Sequence, residues 1–245
     1  MGAGPALVVV HGTGSVPVQT WGPALDGLAT SYRLILPYLP GSGSSSIPDG
    51  PIDVAALADQ IVDVAARAGH ERFALAGASL GAPIAIKLAA MFPDKVTHLV
   101  AVSGYASARP SLRLRFELWD SILHGGIEVN GRLLLILGMT DQVAAMLPSE
   151  MLNAMVQQIG SSLQPGTREQ LALAQTVDVE AELRNITTPT LVIAGRQDNF
   201  VDAAHSVHLA ERIPGATLVQ FDGGHGVTSE CTEAVVAAIG EFIGR

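Results

Sequence analysis

The chain has 245 residues, enough for one compact domain that buries roughly 70–75% of its unfolded surface and still leaves room for a pocket. A formal net charge of −9 works against nucleic acid as a partner, because that affinity rests on lysine and arginine neutralising phosphates, and the single cysteine, Cys231, excludes an internal disulfide or a cysteine-rich metal cluster. No run of 18 or more apolar residues appears and residues 1–5 lack the basic and apolar regions of a signal peptide, so a cytoplasmic protein with no membrane partner is expected.

Ala6, Leu7, Val8, Val9 and Val10 form an unbroken apolar run, the pattern of a central parallel strand buried on both faces. His11-Gly12-Thr13-Gly14 follows as a glycine-rich turn. Residues 33–39 read as the next strand, and Pro37 suits a sheet edge because proline has no amide to donate. The glycine- and serine-rich loop after it lacks the Gly-Lys-Ser/Thr ending of a phosphate-binding P-loop. Over residues 53–68, Val54, Leu57, Ile61, Val64 and Ala65 recur at the helical period, and Gly69 is placed to end the helix.

The next apolar strand, from Phe73, runs directly into Gly77-Ala78-Ser79-Leu80-Gly81 and then into a helix of small residues. A serine becomes a usable nucleophile when it is exposed on a sharp strand-to-helix turn beside a base and beside amides that can hold an oxyanion. Gly77 and Gly81 leave the room that such a turn needs. Pro83 is tolerated in the first helical turn, and residues 96–103 form another buried strand.

Between residues 105 and 185 the pattern turns helical. Leu112, Phe116, Trp119 and Leu123 share one stripe, an apolar patch spans 133–139, and further helical stretches carry Met146, Met151, Met155 and Ile159. Each of these side chains is a candidate either for packing or for lining a pocket. Arg109, Arg113 and Arg115 offer a clamp for an acidic substrate, or a solvated ion pair through the i,i+4 spacing of Arg113 and Glu117. Strands at 190–194 and 217–221 follow; Asp198 lies beyond the first, Asp222-Gly223-Gly224-His225-Gly226 beyond the second, and a closing helix covers 235–243. His205 and His208 share a helical face with no further ligand at metal-binding spacing, so no metal is expected.

His11-Gly12 after the first strand, the turn around Ser79, Gly195-Arg196-Gln197-Asp198 and Gly223-Gly224-His225 together resemble the α/β-hydrolase superfamily, in its Ser, Asp, His order. The resemblance implies an α/β fold with a doubly wound, mostly parallel sheet of about six strands. Too few residues precede the first strand for the family's N-terminal antiparallel hairpin, so either the sheet starts at the family's third strand or the natural chain begins earlier. A core over 1–104 and 186–245 would carry a helical cap at 105–185. Ser79 would be the nucleophile, His225 the base and Asp198 its carboxylate partner, with Asp202 as rival. The amides of Thr13 and Leu80 would form the oxyanion hole.

Pocket candidates are His11, Tyr38 (where family members commonly carry an aspartate), Tyr105, Phe116, Trp119, Met139 and Met155. The implied activity needs no cofactor and takes a small-molecule acyl substrate, an ester, lactone or thioester, through a Ser79 acyl-enzyme. Two alternatives stay open at this point: a lyase or C–C bond hydrolase in which His225 moves a proton, and a ligand receptor with a relic triad.

Overall fold

The structure is a computed structural model and describes residues 1–244. Six strands, β1 (Ala6–Val10), β2 (Arg33–Ile35), β3 (Phe73–Ala78), β4 (Val96–Val102), β5 (Thr190–Gly195) and β6 (Thr217–Phe221), form one sheet in the order β2-β1-β3-β4-β5-β6. Every pairing is parallel. The chain steps outward from β1 to β2, then returns to place β3 on the other side of β1. The carboxyl ends of β1 and β3 therefore flank the point where the winding reverses, the place where open α/β sheets bind ligands.

Because side chains alternate along a strand, each central strand feeds two cores. Val8, Val10 and Leu75 pack on one face, while Leu7, Val9 and Ala76 pack on the other, all with no exposed surface. This explains the unbroken apolar runs. Helices α1 (Pro17–Trp21) and α2 (Ala24–Ala29) follow β1; α3 (Val54–Arg67) precedes β3 and α4 (Gly81–Met91) follows it. Asp53 caps α3 by accepting from the Ala56 amide at 2.8 Å. Leu57, Ile61, Ile84 and Leu88 of α3 and α4 cover one face of the sheet.

The strand expected over 33–39 is shorter than its apolar run. It pairs with β1 only from Arg33 to Ile35, and two positions further Pro37 has no amide to continue the ladder. Residues 36–39 leave the sheet instead, and the Leu39 amide is taken up by the His11 ring.

Between β4 and β5 lie six α-helices, α5 (Pro110–Ile122), α6 (Ile127–Gly138), α7 (Asp141–Met146), α8 (Ser149–Ser161), α9 (Thr167–Thr176) and α10 (Glu180–Leu183), with a short 3-10 turn at Leu123–Gly125 after α5. Helices α11 (Ala203–Arg212), α12 (Val227–Glu230) and α13 (Thr232–Ile243) complete the chain. Val235 and Ile239 of α13 cover the face opposite α3 and α4, together with Trp21 and Leu25. Among the described residues no helix is long and apolar enough to cross a membrane.

Helices α6 and α8 approach one another through glycines. A methyl group at Gly131 would overlap the Val156 carbonyl oxygen, and one at Gly160 would overlap that of Ile127. Backbone on the far side cannot step aside as a flexible side chain would. Gly131→Ala is expected to destabilise this helix pair by about 1–3 kcal/mol, the usual cost of overpacking, read as a lower urea midpoint and faster proteolysis between α6 and α8.

Candidate active site

Ser79 is the first residue past β3, and its φ of +55° places a non-glycine residue in the left-handed region. The turn is held by Ser79 N–H donating to Val102 O at 2.9 Å and by Ala82 N–H donating to Ser79 O at 2.9 Å. It is also tight, since a methyl group at Gly77 would overlap the Gly81 carbonyl oxygen. From this turn the Ser79 hydroxyl lies 3.1 Å from His225 Nε2, and His225 Nδ1 lies 2.8 Å from Asp198 Oδ2.

Asp198 is buried, and its other oxygen, Oδ1, accepts from the amides of Phe200 at 2.9 Å and Val201 at 2.8 Å. The carboxylate is thus fixed by backbone, and it draws the Nδ1 proton of His225. That tautomer leaves Nε2 as an acceptor facing the serine hydroxyl. Asp202, the rival carboxylate, instead caps α11 through the Ala204 amide at 2.8 Å.

The turn after β1 lies beside this serine. A methyl group at Gly12 would come within 3.2 Å of Ser79 Cβ. Gly12 N–H donates to Thr20 Oγ1 at 3.1 Å, and Gly14 N–H donates to Gln170 Oε1 at 2.8 Å. Both neighbours of Thr13 have therefore committed their amides, whereas the amides of Thr13 and Leu80 have no internal partner among the described residues. Two free N–H groups next to a serine hydroxyl are what a developing oxyanion requires.

His11 is not a pocket residue. It is fully buried, its Nδ1 donating to Gly12 O at 2.8 Å and its Nε2 accepting from Leu39 N–H at 3.0 Å. Burial pushes its pKa down to about 4, against a smaller opposing effect of the Gly12 bond, so the ring is neutral at pH 7 and works as a brace between β1 and the 36–39 segment.

A cavity of about 260 Å³ opens over Ser79 and His225. Of the aromatic and methionine candidates only Trp119 lines it. Tyr38 is 46% exposed and covers Gly43. Tyr105 and Phe116 are buried against one another, with the Tyr105 hydroxyl donating to Ala174 O at 3.2 Å. Met139 faces a separate surface recess, and Met155 lies one helical turn before Ile159, which does line the cavity. The remaining apolar wall comes from Leu134, Ile159, Leu163 and Phe200. The arginines expected as a clamp do not reach it: Arg113 donates to Ala108 O and Arg115 to Phe200 O.

A family model for the alpha/beta hydrolase fold matches residues 5–229. The chain belongs to the α/β-hydrolase fold family. Pyrrolizixenacetamide deacetylase of Xenorhabdus hominickii is 28% identical over 244 residues, covering 99% of this chain and 92% of that protein. Pimeloyl-(acyl-carrier protein) methyl ester esterase of Nitrosomonas europaea is 31% identical over 233 residues, covering 90% of this chain and 88% of its own. The crystal structure of a hydrolase from Pseudomonas aeruginosa superposes with a TM-score of 0.86 at 25% identity, covering 100% of this chain and 92% of that one. These relatives are hydrolases, which supports a hydrolase of this fold.

Around the α/β-hydrolase turns lie supports that no motif announces. Gln170 of α9 is fully buried; besides accepting from Gly14, its Nε2 donates to Pro40 O at 2.8 Å and Ser42 Oγ at 2.9 Å. Glu230 Oε2 accepts from the Gly224 amide at 3.2 Å and from Thr140 Oγ1 at 3.3 Å, joining the His225 loop to the start of α7. Ser103, with a φ of +46°, donates to the His225 carbonyl oxygen at 3.3 Å. In the sequence the only signal for Gln170 was its place next to Leu171, Leu173 and Ala174 on the apolar side of α9.

Replacing Gln170 by Ala leaves Gly14 N–H and Pro40 O unpaired in a buried site. Hydrolytic turnover is expected to fall about 10- to 100-fold in kcat with little change in KM, as the loop carrying Thr13 shifts. His11 sets a pH dependence as well. Because its folded pKa of about 4 lies below the ordinary 6.5, the unfolded chain protonates first as pH falls. Stability from a neutral His11 is complete above about pH 6.5 and is lost down to about pH 4, with His205, lowered to about 4 chiefly by burial, acting in the same direction. His11→Gln is expected to flatten that decline in urea midpoints measured from pH 7 to 4.

Proposed function

We propose that this protein is a serine hydrolase that cleaves a small carboxylic ester, lactone or thioester through an acyl-enzyme on Ser79, with the helices of residues 105–185 as a cap over the site. The observation that carries this reading is the unbroken chain from Ser79 Oγ through His225 to Asp198, on the floor of a cavity and beside two unpartnered amides. The deacetylase and methyl ester esterase among the relatives both transfer an acyl group to water, which is the same class of chemistry.

In this mechanism His225 Nε2 takes the hydroxyl proton as Ser79 Oγ attacks the acyl carbonyl carbon. The carbonyl oxygen becomes an oxyanion and accepts from Thr13 N–H and Leu80 N–H, each donor worth about 2.7–4 kcal/mol of barrier in comparable sites. Asp198, through its bond to Nδ1, orients the ring and steadies the imidazolium. Collapse of the intermediate returns the proton from Nε2 to the leaving oxygen or sulfur. Water, deprotonated by the same nitrogen, then attacks the acyl carbon and releases the acid with Ser79 restored.

Ser79→Ala is expected to lower kcat on the order of 10⁴- to 10⁶-fold while leaving the thermal unfolding curve in place. Intact mass after treatment with a small fluorophosphonate should show one adduct on the wild type and none on this variant. A folded wild type that takes no adduct would overturn the nucleophile role and leave proton transfer by His225 as the chemistry to test.

A further inference from the structure

We propose that the cavity admits small uncharged acyl compounds and excludes those that carry a free carboxylate. The inference rests on the serine hydrolase reading and adds the substrate's charge and size to it. Apart from His225, no ionisable side chain lines the cavity among the described residues. A carboxylate entering it leaves water and meets no cation, a transfer that proteins offset only by pairing the charge. Arg109, Arg113 and Arg115 do not line it, and Arg113 and Arg115 donate to backbone carbonyls; Arg132 and Arg168, also close in sequence to the wall, are absent from the lining too. The net charge of −9 adds a field that lowers the local concentration of anions.

What the lining does offer is neutral. Thr13 Oγ1 is buried without a partner, and the side chain of Gln19 has only its Oε1 engaged, accepting from Val16 N–H at 3.2 Å and Ser15 Oγ at 3.4 Å. These groups suit an uncharged carbonyl, ether or hydroxyl. Trp119, Leu134, Ile159, Leu163 and Phe200 supply apolar lining for a short alkyl or ring substituent. The volume, about 260 Å³, is below the roughly 300–1,000 Å³ of sites that take drug-sized ligands.

The test uses three methyl esters on the wild-type protein, followed by methanol release at pH 7.5: methyl butyrate, dimethyl succinate and monomethyl succinate. The last two share a chain and differ in charge. Both neutral esters are expected to exceed monomethyl succinate in kcat/KM by at least about 100-fold, after correction for the two equivalent ester groups of the diester. A smaller ratio between dimethyl and monomethyl succinate overturns the exclusion of carboxylates. Rejection of dimethyl succinate alongside the monoester also overturns it, since length rather than charge would then be selected. If none of the three is hydrolysed while Ser79 still takes the fluorophosphonate, the serine assignment stands and this inference falls. If the serine also fails to label, both fall.

Discussion

The left-handed backbone of Ser79 is the constraint from which the rest of the site is built. A serine at φ +55° ends β3 and starts α4 in one residue, so its hydroxyl stands clear of both elements at the carboxyl edge of the sheet. The turn closes only because Gly77 and Gly81 touch, and the same geometry leaves the Leu80 amide unpartnered. The neighbouring strand β1 ends level with it, and Gly12 allows its turn to come close enough to present the Thr13 amide. Strain in one residue is thus held by hydrogen bonds to β4 and by close packing with β1.

Around that turn, Asp198, His11 and the amides flanking Thr13 are already committed to internal hydrogen bonds. Asp198 is held by two amides, so its free oxygen points to His225 without a second conformation to choose from. His11 is kept neutral by burial and spends both ring nitrogens on loop geometry. The amides on either side of Thr13 are occupied by Thr20 and Gln170. Among the described residues this leaves the serine–histidine pair, the Thr13 and Leu80 amides and a cavity lined, apart from His225, by uncharged side chains. Such preorganisation is worth more than the same groups free to rotate, since no reorientation is needed as charge develops.

The sheet and the tight turn at Ser79 were legible in the sequence because they are governed by local rules, whereas the roles expected of Asp198 and His225 came from the resemblance to the α/β-hydrolase superfamily. A strand buried on both faces must be apolar throughout, and a tight strand-to-helix turn must have glycine where backbone meets backbone. The cavity wall obeys no such rule. Of the stripe Leu112, Phe116, Trp119 and Leu123, the first three mark the inner face of α5 and Leu123 falls just past its end; only Trp119 reaches the cavity, while Phe116 is stopped by Tyr105 and Phe200. Periodicity reports which side of a helix is buried but not what it is buried against. Tyr38 fails for a related reason: residues 36–39 leave the sheet after Ile35, so the side chain points away from the place that strand geometry would have given it.

The helices between β4 and β5 do more than fill space above the serine. Gly138 O accepts from Gly226 N–H at 3.0 Å and Thr140 donates to Glu230, so the α6–α7 junction holds the loop that carries His225. At the α8–α9 junction, Gln164 N–H donates to Gly14 O at 3.2 Å and Gln170 accepts from Gly14 N–H, so that junction holds the loop that carries Thr13. Four hydrogen bonds at about 0.5–1.5 kcal/mol each tie the insert to the two loops on either side of Ser79. Lifting these helices would break these four bonds, together about 2–6 kcal/mol, in addition to the Gln170 bonds to Pro40 O and Ser42 Oγ, and would release the loops that carry His225 and Thr13 from their supports. The position of the insert and the geometry around Ser79 are then a single equilibrium, and a ligand that holds the insert down also holds the two loops in place.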